Sequence, residues 1–444
     1  MLYSPEHYCI VRCTLLNITM QKQLLSLYPS SFTLSTYSPW STLYGYFPAC
    51  LFSIRRTNKM RTKKVLFITH VGEPGGAEMV MMNFCNSAHH STSVLTLENG
   101  SINETLDTRG IANKSINFLD GIKDFKREDG FKQILKLIPR VIKRVTLLNT
   151  ELKKHDIIVC FSQKSFLLCS LAKPFNRKPI IWFMNDILSS DYFSPTLLHI
   201  LKLLSKLSSD HVVLNSKASL EKWQEAGAKK KNISIIYPSI DIFDFEKKLE
   251  DTVKIDEFKS KYRGENTALI GIFGRLTPWK GQDLFIRAIS RLKNVNAIVV
   301  GDALFGEAKY KQELNELVSE LNLQDRIAFT GHIKEIPQLM SICDVICHCS
   351  TTPEPFGLVL AEATIAKRPV IASDGGGAKE IVIHGKTGQL TPIGNIEALV
   401  AAIEKYLDDT DYTKTIIKDA YTHSLQNFSK ETMVKKLDSI IETL

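Results

Sequence analysis

Two carboxylates, Glu354 and Glu362, bracket the stretch Glu354-Pro355-Phe356-Gly357-Leu358-Val359-Leu360-Ala361-Glu362. Pro355 and Gly357 predict a turn, and the apolar residues beyond Gly357 predict a helix. The first carboxylate then stands just before a helix start, and the second about two turns inside it. First-turn N–H groups have no partner within their own helix and attract an anion, above all a phosphate. Hydroxyl-accepting carboxylates around a phosphate-binding helix start suit a sugar nucleotide. A solvated helix with two surface acids would show the same spacing, so the reading depends on what stands beside it.

Two further segments point the same way. The apolar run 268–273 predicts a strand and ends in Gly274-Arg275-Leu276-Thr277-Pro278-Trp279-Lys280-Gly281. A second apolar run, 369–372, leads through Ser373-Asp374-Gly375-Gly376-Gly377 into a helix opening at Ala378. Open α/β sheets bind ligands beyond the carboxyl ends of their strands, so all three loops face one crevice. Breaking a sugar–phosphate bond leaves negative charge on the departing diphosphate. Arg275 can bind two phosphate oxygens and Lys280 adds a point charge; fixed cations stabilise that charge as it grows. An isolated Arg/Lys pair would more simply be solvated or salt-bridged. Arg275 and Lys280 in this glycine loop, with Glu354 from the later one, are the candidate catalytic groups.

Together these segments resemble the family 4 glycosyltransferases of the GT-B fold. The resemblance covers nearly everything from Met60 onward and is strongest over 271–392. The Glu-x7-Glu pattern alone is weak. Its combination with Gly-Arg-Leu-x3-Lys-Gly and with Gly376, Gly377 and Glu380 of a later Gly-Gly-x2-Glu is specific. The resemblance implies an α/β architecture of two Rossmann-like domains facing each other across a cleft. It implies transfer of a sugar from a nucleoside-diphosphate donor, a UDP-sugar ahead of a GDP-sugar, to a hydroxyl acceptor with retention of configuration. Glu354 would bond hydroxyls of the donor sugar and Glu362 those of the ribose. Gly274 and the backbone of Phe356, Gly357 and Leu358 would contact sugar and phosphate, and Gly331 and His332 would lie near the base. The leaving phosphate would help deprotonate the acceptor, so neither a strong protein base nor a metal or other cofactor is expected. The expected acceptor is a glycan or lipid-linked acceptor in the making of a cell-surface polysaccharide or glycolipid. A nucleotide-sugar epimerase of similar fold and a non-catalytic sugar-nucleotide-binding protein are the alternatives.

The elements that must position these groups alternate along the chain. Residues 60–238 form the expected amino-terminal, acceptor-binding domain, with strands at 65–69, 93–97, 156–161, 179–184 and 211–215. After the first of them comes Gly72-Glu73-Pro74-Gly75-Gly76-Ala77-Glu78, with a helix from Met79 to about Asn86. Gly75 and Gly76 would suit any tight strand-to-helix turn. The Gly-Gly-Ala-Glu wording matches the family's first loop, which implies that they face the donor diphosphate. Many relatives carry a histidine after the strand at 180–184, near the reacting sugar. Here the pair is Asn185-Asp186, and Asn185 can donate a hydrogen bond but cannot titrate. Asp186 contacts the acceptor or caps the next segment; both readings stand.

Residues 235–241 read as the hinge and 239–420 as the carboxyl-terminal, nucleotide-sugar domain. Its strands are expected at 268–273, 297–300, 327–330, 345–347 and 369–372. Its helices are expected at 281–292, 309–321, 335–342, 357–366 and 377–383. Residues 421–444 are expected as the carboxyl-terminal segment, whose helix near 430–443 the resemblance returns toward the first domain. The first 59 residues contain one acidic residue, Glu6, and sustain neither helix nor strand period. They read as a non-native or disordered extension, with Met60 as the start.

A chain of 444 residues exceeds one ordinary core. With 44% hydrophobic and 23% charged residues it is not mainly disordered. The net charge of +9 suits an anionic donor, an anionic lipid-linked acceptor or a membrane surface. No dense basic block or nucleic-acid module is present. Nine cysteines show no disulfide framework, which fits a cytoplasmic location, with the inner face of a membrane as an option. Cys343, Cys347 and Cys349 surround His348 without the usual pairs of zinc ligands. The basic apolar segments 130–154 and 197–207 read first as helices packing on the sheet, and second as helices lying on an anionic bilayer.

Overall fold

The computed structural model describes residues 62–118, 143–190, 192–229, 232–303 and 307–444. The expected extension 1–59 and residues 130–142 of the basic segment lie outside these. Thirteen strands are named in chain order: β1 Lys64–Thr69, β2 Ser91–Thr96, β3 Asn113–Ser115, β4 Ile157–Cys160, β5 Ile180–Met184, β6 His211–Leu214, β7 Ile233–Ile235, β8 Ala268–Phe273, β9 Val295–Val300, β10 Ile327–Gly331, β11 Val345–His348, β12 Val370–Ser373 and β13 Gln389–Thr391. They form two sheets, ordered β3-β2-β1-β4-β5-β6-β7 and β10-β9-β8-β11-β12-β13. Every pairing within them is parallel. Each sheet begins with the doubly wound order whose reversal opens a crevice between its first and fourth strands. The chain is two Rossmann-like α/β domains.

Parallel sheets are covered by helices on both faces, so their strands read as continuous apolar runs. Period-two alternation then sorts the residues. Val65 and Phe67 enter one core of the first domain, and Leu66 and Ile68 the other. In the second domain Ile270 and Ile272 face one core while Leu269 and Phe273 face its opposite. The short, polar edge strand β3 carries no such signal.

The chain passes between the domains twice, and the two crossings lie side by side. Ile240 N–H donates to the Phe428 carbonyl at 2.9 Å, and Lys430 N–H donates to the Ile240 carbonyl at 3.1 Å. The Lys430 ammonium adds a 2.7 Å contact with Asp241. Ile235, read as part of the hinge, closes strand β7. Helix Thr410–Asn427 remains with the second domain, and the chain returns beyond Asn427. Helix Lys430–Thr443 then packs Met433, Leu437 and Ile441 into the same core as Val65 and Phe67.

Candidate functional site

The loop after β8 crosses very close to its neighbours. Gly281 has φ +68, and a Cβ there would fall 2.1 Å from the Cys349 carbonyl oxygen, so only glycine fits. That approach carries Lys280 to the loop after β11. Its ammonium stands 2.5 Å from Glu354 Oε1 and 4.6 Å from the centre of the Trp279 ring. Arg275, five residues earlier, is exposed on the same loop. Its backbone carbonyl accepts from Gln282 Nε2 at 3.0 Å.

Glu354 is buried and heavily held. His348 Nε2 lies 2.7 Å from Oε1, and the Ser350 hydroxyl donates to the same oxygen. Among the described residues Glu354 Oε2 has no hydrogen-bond partner. Burial alone would raise the carboxyl; the contacts with His348 and Lys280 outweigh it and hold the group well below the usual carboxylate range. The glycine loop after β12 completes the turn. Gly377 N–H donates to the Glu354 carbonyl at 2.8 Å. Gly376, at φ +59, passes so close that a Cβ would lie 2.2 Å from that oxygen. Phe356 points into the core, where its ring centroid is 5.7 Å from Tyr237 and 5.3 Å from Phe428. Only its backbone is available to a ligand.

Gly357, at φ +93, turns the chain into helix Leu358–Ile365, whose start faces the first domain. A Cβ on Gly76 would be 4.0 Å from Leu358 Cδ2. Between the domains at this point lies a cavity of about 500 Å³, lined by Gly76, Asn83 and Arg109 from one side and by Lys334, Leu358 and Glu362 from the other. Glu362 faces it with no hydrogen-bond partner among the described residues. Burial pushes its carboxyl up to about 7, against the opposing pull of Lys248. His332 is exposed two residues before Lys334.

In the first domain, helix Gly76–Cys85 starts three residues before the expected Met79. The reason is the cap: Glu78 Oε2 accepts from Gly75 N–H at 3.1 Å, and Oε1 from the Thr69 hydroxyl at 2.9 Å. Asn185 spends its amide donor on the Phe161 carbonyl at 3.0 Å, and its own backbone carbonyl receives Asn215 Nδ2 at 3.0 Å. It is held by the scaffold. Asp186 makes no hydrogen bond; burial and then the charge of Glu78 raise its carboxyl to about 6. His70, at the end of β1, is lowered to about 4 by burial and Lys164, with Glu98 opposing.

Several contributing residues escape sequence reasoning. His348 and Ser350 read only as neighbours of three cysteines, all of which are buried; among the described residues no cluster could hold a metal. Glu380 read only as a motif position. Its carboxylate accepts from the N–H groups of Lys217 and Ala218, each at 3.0 Å, and from the Tyr237 hydroxyl at 2.8 Å. It thereby ties the second domain to the first turn of helix Lys217–Glu225.

The helix start at Leu358 and the carboxylate of Glu362 line the interdomain cavity, while the Lys280–Glu354 pair stands outside that lining, on the loops that lead up to the helix; together they make a set suited to a phosphorylated sugar. Residues 253–423 match the family model "Glycosyl transferases group 1". The crystal structure of Anabaena Alr3699/HepE in complex with UDP and glucose is 32% identical, covers 86% of this chain and all of its own, and superposes with a TM-score of 0.76. The chain belongs to the group 1 glycosyl transferases. Among curated relatives of this glycosyltransferase, the uncharacterized glycosyltransferase MJ1607 of Methanocaldococcus jannaschii is 27% identical over 63% of this chain and 74% of its own. The lipopolysaccharide core biosynthesis mannosyltransferase LpcC of Rhizobium leguminosarum bv. viciae is 30% identical over 40% of this chain and 51% of its own. The chain thus spans about half the length of that mannosyltransferase.

Proposed function

We propose that this glycosyltransferase moves a sugar from a nucleoside diphosphate, a UDP-sugar ahead of a GDP-sugar, to a hydroxyl of a glycan or lipid-linked acceptor, with retention. One observation carries the reading. The start of helix Leu358–Ile365, the unpartnered Glu362 and the glycine turn at Gly76 border a single cavity between the domains. A diphosphate at that helix start sits where unpaired N–H groups and the helix dipole favour it. Its ribose hydroxyls reach Glu362. Its sugar extends toward Glu354 and Lys280, and Arg275 supplies a second cation at the cleft. As the glycosidic bond to phosphate breaks, these cations take up the growing charge. The leaving phosphate receives the acceptor proton, and Asp186 with Asn185 faces the acceptor. The Anabaena relative, crystallised in complex with UDP and glucose, supports a UDP-sugar donor.

Incubation with UDP-glucose, UDP-galactose and GDP-mannose, each with a glycan acceptor, tests the reading. Release of nucleoside diphosphate together with an α-linked product is expected. An altered free sugar nucleotide, or binding without turnover, contradicts it.

Glu362 gives the site a pH signature. Ribose hydroxyls donate to an ionised carboxylate, so donor affinity rises with pH as Glu362 passes its value of about 7. Without ligand the sign is opposite for stability. The raised carboxyl favours the folded state below its ordinary value of 4.5, and that contribution disappears as pH rises through about 7. Calorimetric titration with a sugar nucleotide, whose diphosphate does not titrate in this range, shows the rise. Glu362→Gln flattens the profile and weakens binding about tenfold, the scale of one charged hydrogen bond. A flat wild-type profile rules out the ribose contact.

Contact with an anionic bilayer is the remaining part of the proposal. No helix among the described residues is long and apolar enough to cross a membrane. Helix Pro195–Leu207 instead buries Leu201 and leaves Ile200, Leu203 and Leu207 exposed, beside exposed Leu171 and Phe175 on helix Gln163–Asn176. Lysines interleave with these residues. Flotation with anionic vesicles is expected to recover the protein, and Leu203→Ser with Leu207→Ser to abolish recovery. Equal recovery of the variant shows that this face makes no contact.

A further inference from the structure

We propose that His348 is a positioning residue for sugar transfer: it keeps Glu354 in place for the donor sugar while Lys280 turns from Glu354 to the diphosphate. The proposal rests on the reading of the site given above.

The geometry around Glu354 is lopsided. Oε1 receives three donors, the Lys280 ammonium at 2.5 Å, His348 Nε2 at 2.7 Å and the Ser350 hydroxyl. Oε2 receives none. One oxygen is therefore anchored, and the other remains an acceptor for a sugar hydroxyl. The three anchors are not equivalent. Lys280 sits at the end of a flexible four-carbon stem, and a diphosphate competes for its ammonium. If Lys280 were the main anchor, binding the donor would loosen the carboxylate that must hold the donor's sugar.

His348 cannot be drawn away in this manner. It closes strand β11, its backbone is fixed by parallel pairing opposite Ala372, and its ring is buried. An ionised carboxylate only accepts hydrogen bonds, so Nε2 carries the hydrogen. Nδ1 is buried with no hydrogen-bond partner among the described residues. A buried nitrogen with no partner is unfavourable, and an apolar side chain would avoid it. The strongest polar bond of this ring is the one to Glu354. The ring also reaches the turn, since a Cβ at Gly357 would be 3.8 Å from Nε2. Ser350, 3.3 Å from Nε2, completes the anchor.

Two amide substitutions separate positioning from bulk packing. Gln carries its NH₂ about as far from the backbone as histidine carries Nε2; Asn stops at the depth of Nδ1. In the full chain, His348→Asn is expected to lower kcat about tenfold to a hundredfold, the scale for a misplaced contact group. His348→Gln is expected to restore kcat to within about threefold of wild type. UDP, which lacks the sugar, should bind both variants within about twofold of wild type, and their melting midpoints should agree. Equal kcat in His348→Asn and wild type overturns the proposal. So does a fall in UDP affinity that parallels kcat, or a His348→Gln variant as slow as His348→Asn. A wild-type chain that binds no sugar nucleotide overturns the underlying reading of the site, an outcome distinct from each of these.

Discussion

Lys280→Ala is expected to lower kcat by about a hundredfold to a thousandfold, the scale for removing one group aimed at charge that develops in the transition state. The ammonium has 15% of its side chain exposed and stands 2.5 Å from a carboxylate that is itself 7% exposed. Charges so screened from water interact far more strongly than surface charges. The diphosphate carries its greatest charge as the sugar departs, so the loss falls on kcat more than on KM. Alanine also strips one partner from Glu354, but His348 and Ser350 still hold Oε1. The melting midpoint therefore falls without loss of the fold. Lys280→Arg does not restore turnover, because the bulkier planar guanidinium does not fit where a mostly buried ammonium stands 2.5 Å from Glu354. Steady-state kinetics with the donor identified by the panel measure the first effect, and thermal melting the second.

Glu354→Ala is expected to divide sugar recognition from nucleotide recognition. Loss of a hydrogen bond to a charged group costs about 1.5–3 kcal/mol, so kcat/KM for the sugar nucleotide falls by about tenfold to about a hundredfold. UDP behaves oppositely. It has no sugar to miss the carboxylate, and Lys280 is freed from its internal partner, so UDP binds as tightly as to wild type or more tightly. Parallel losses for UDP and the sugar nucleotide would remove Glu354 from the sugar contacts. The wild-type pair persists throughout the neutral range. Because the folded carboxyl is depressed from 4.5, its contribution to stability is present above that value and is lost as pH falls through the folded value.

Ten of the thirteen named strands and the three site loops can be read from the sequence because their causes are local. Apolar runs such as 268–273 must be buried on both faces, and glycines such as Gly281 and Gly376 mark close backbone approaches. The spacing of Glu354 and Glu362 follows from a turn and a helix alone. The three-residue edge strands β3, β7 and β13 and the partners of Glu354 are different. Asn113-Lys114-Ser115 carries no apolar pattern and exists because β2 offers an edge. His348 lies six residues from Glu354 in sequence, and a strand end followed by a turn folds it back onto Oε1. Nothing in its neighbours, three cysteines, announces that direction. Glu380 lies far in sequence from the amide groups it accepts, 163 residues from Lys217. The cavity needs Asn83 and Arg109 from the first domain, and no pattern within either domain links them to Glu362. Contacts between domains depend on how two complete folds meet.

The central claim is that a diphosphate binds between the two domains with its charge on Lys280 and on the start of helix Leu358–Ile365. A crystal structure of the protein with a bound UDP-sugar tests it most directly. Phosphate oxygens are expected within hydrogen-bond reach of Lys280 Nζ and the Leu358 N–H, ribose hydroxyls on Glu362, and a sugar hydroxyl on Glu354 Oε2. A nucleotide bound elsewhere, or a Lys280 still paired only with Glu354 beside an occupied cleft, contradicts it.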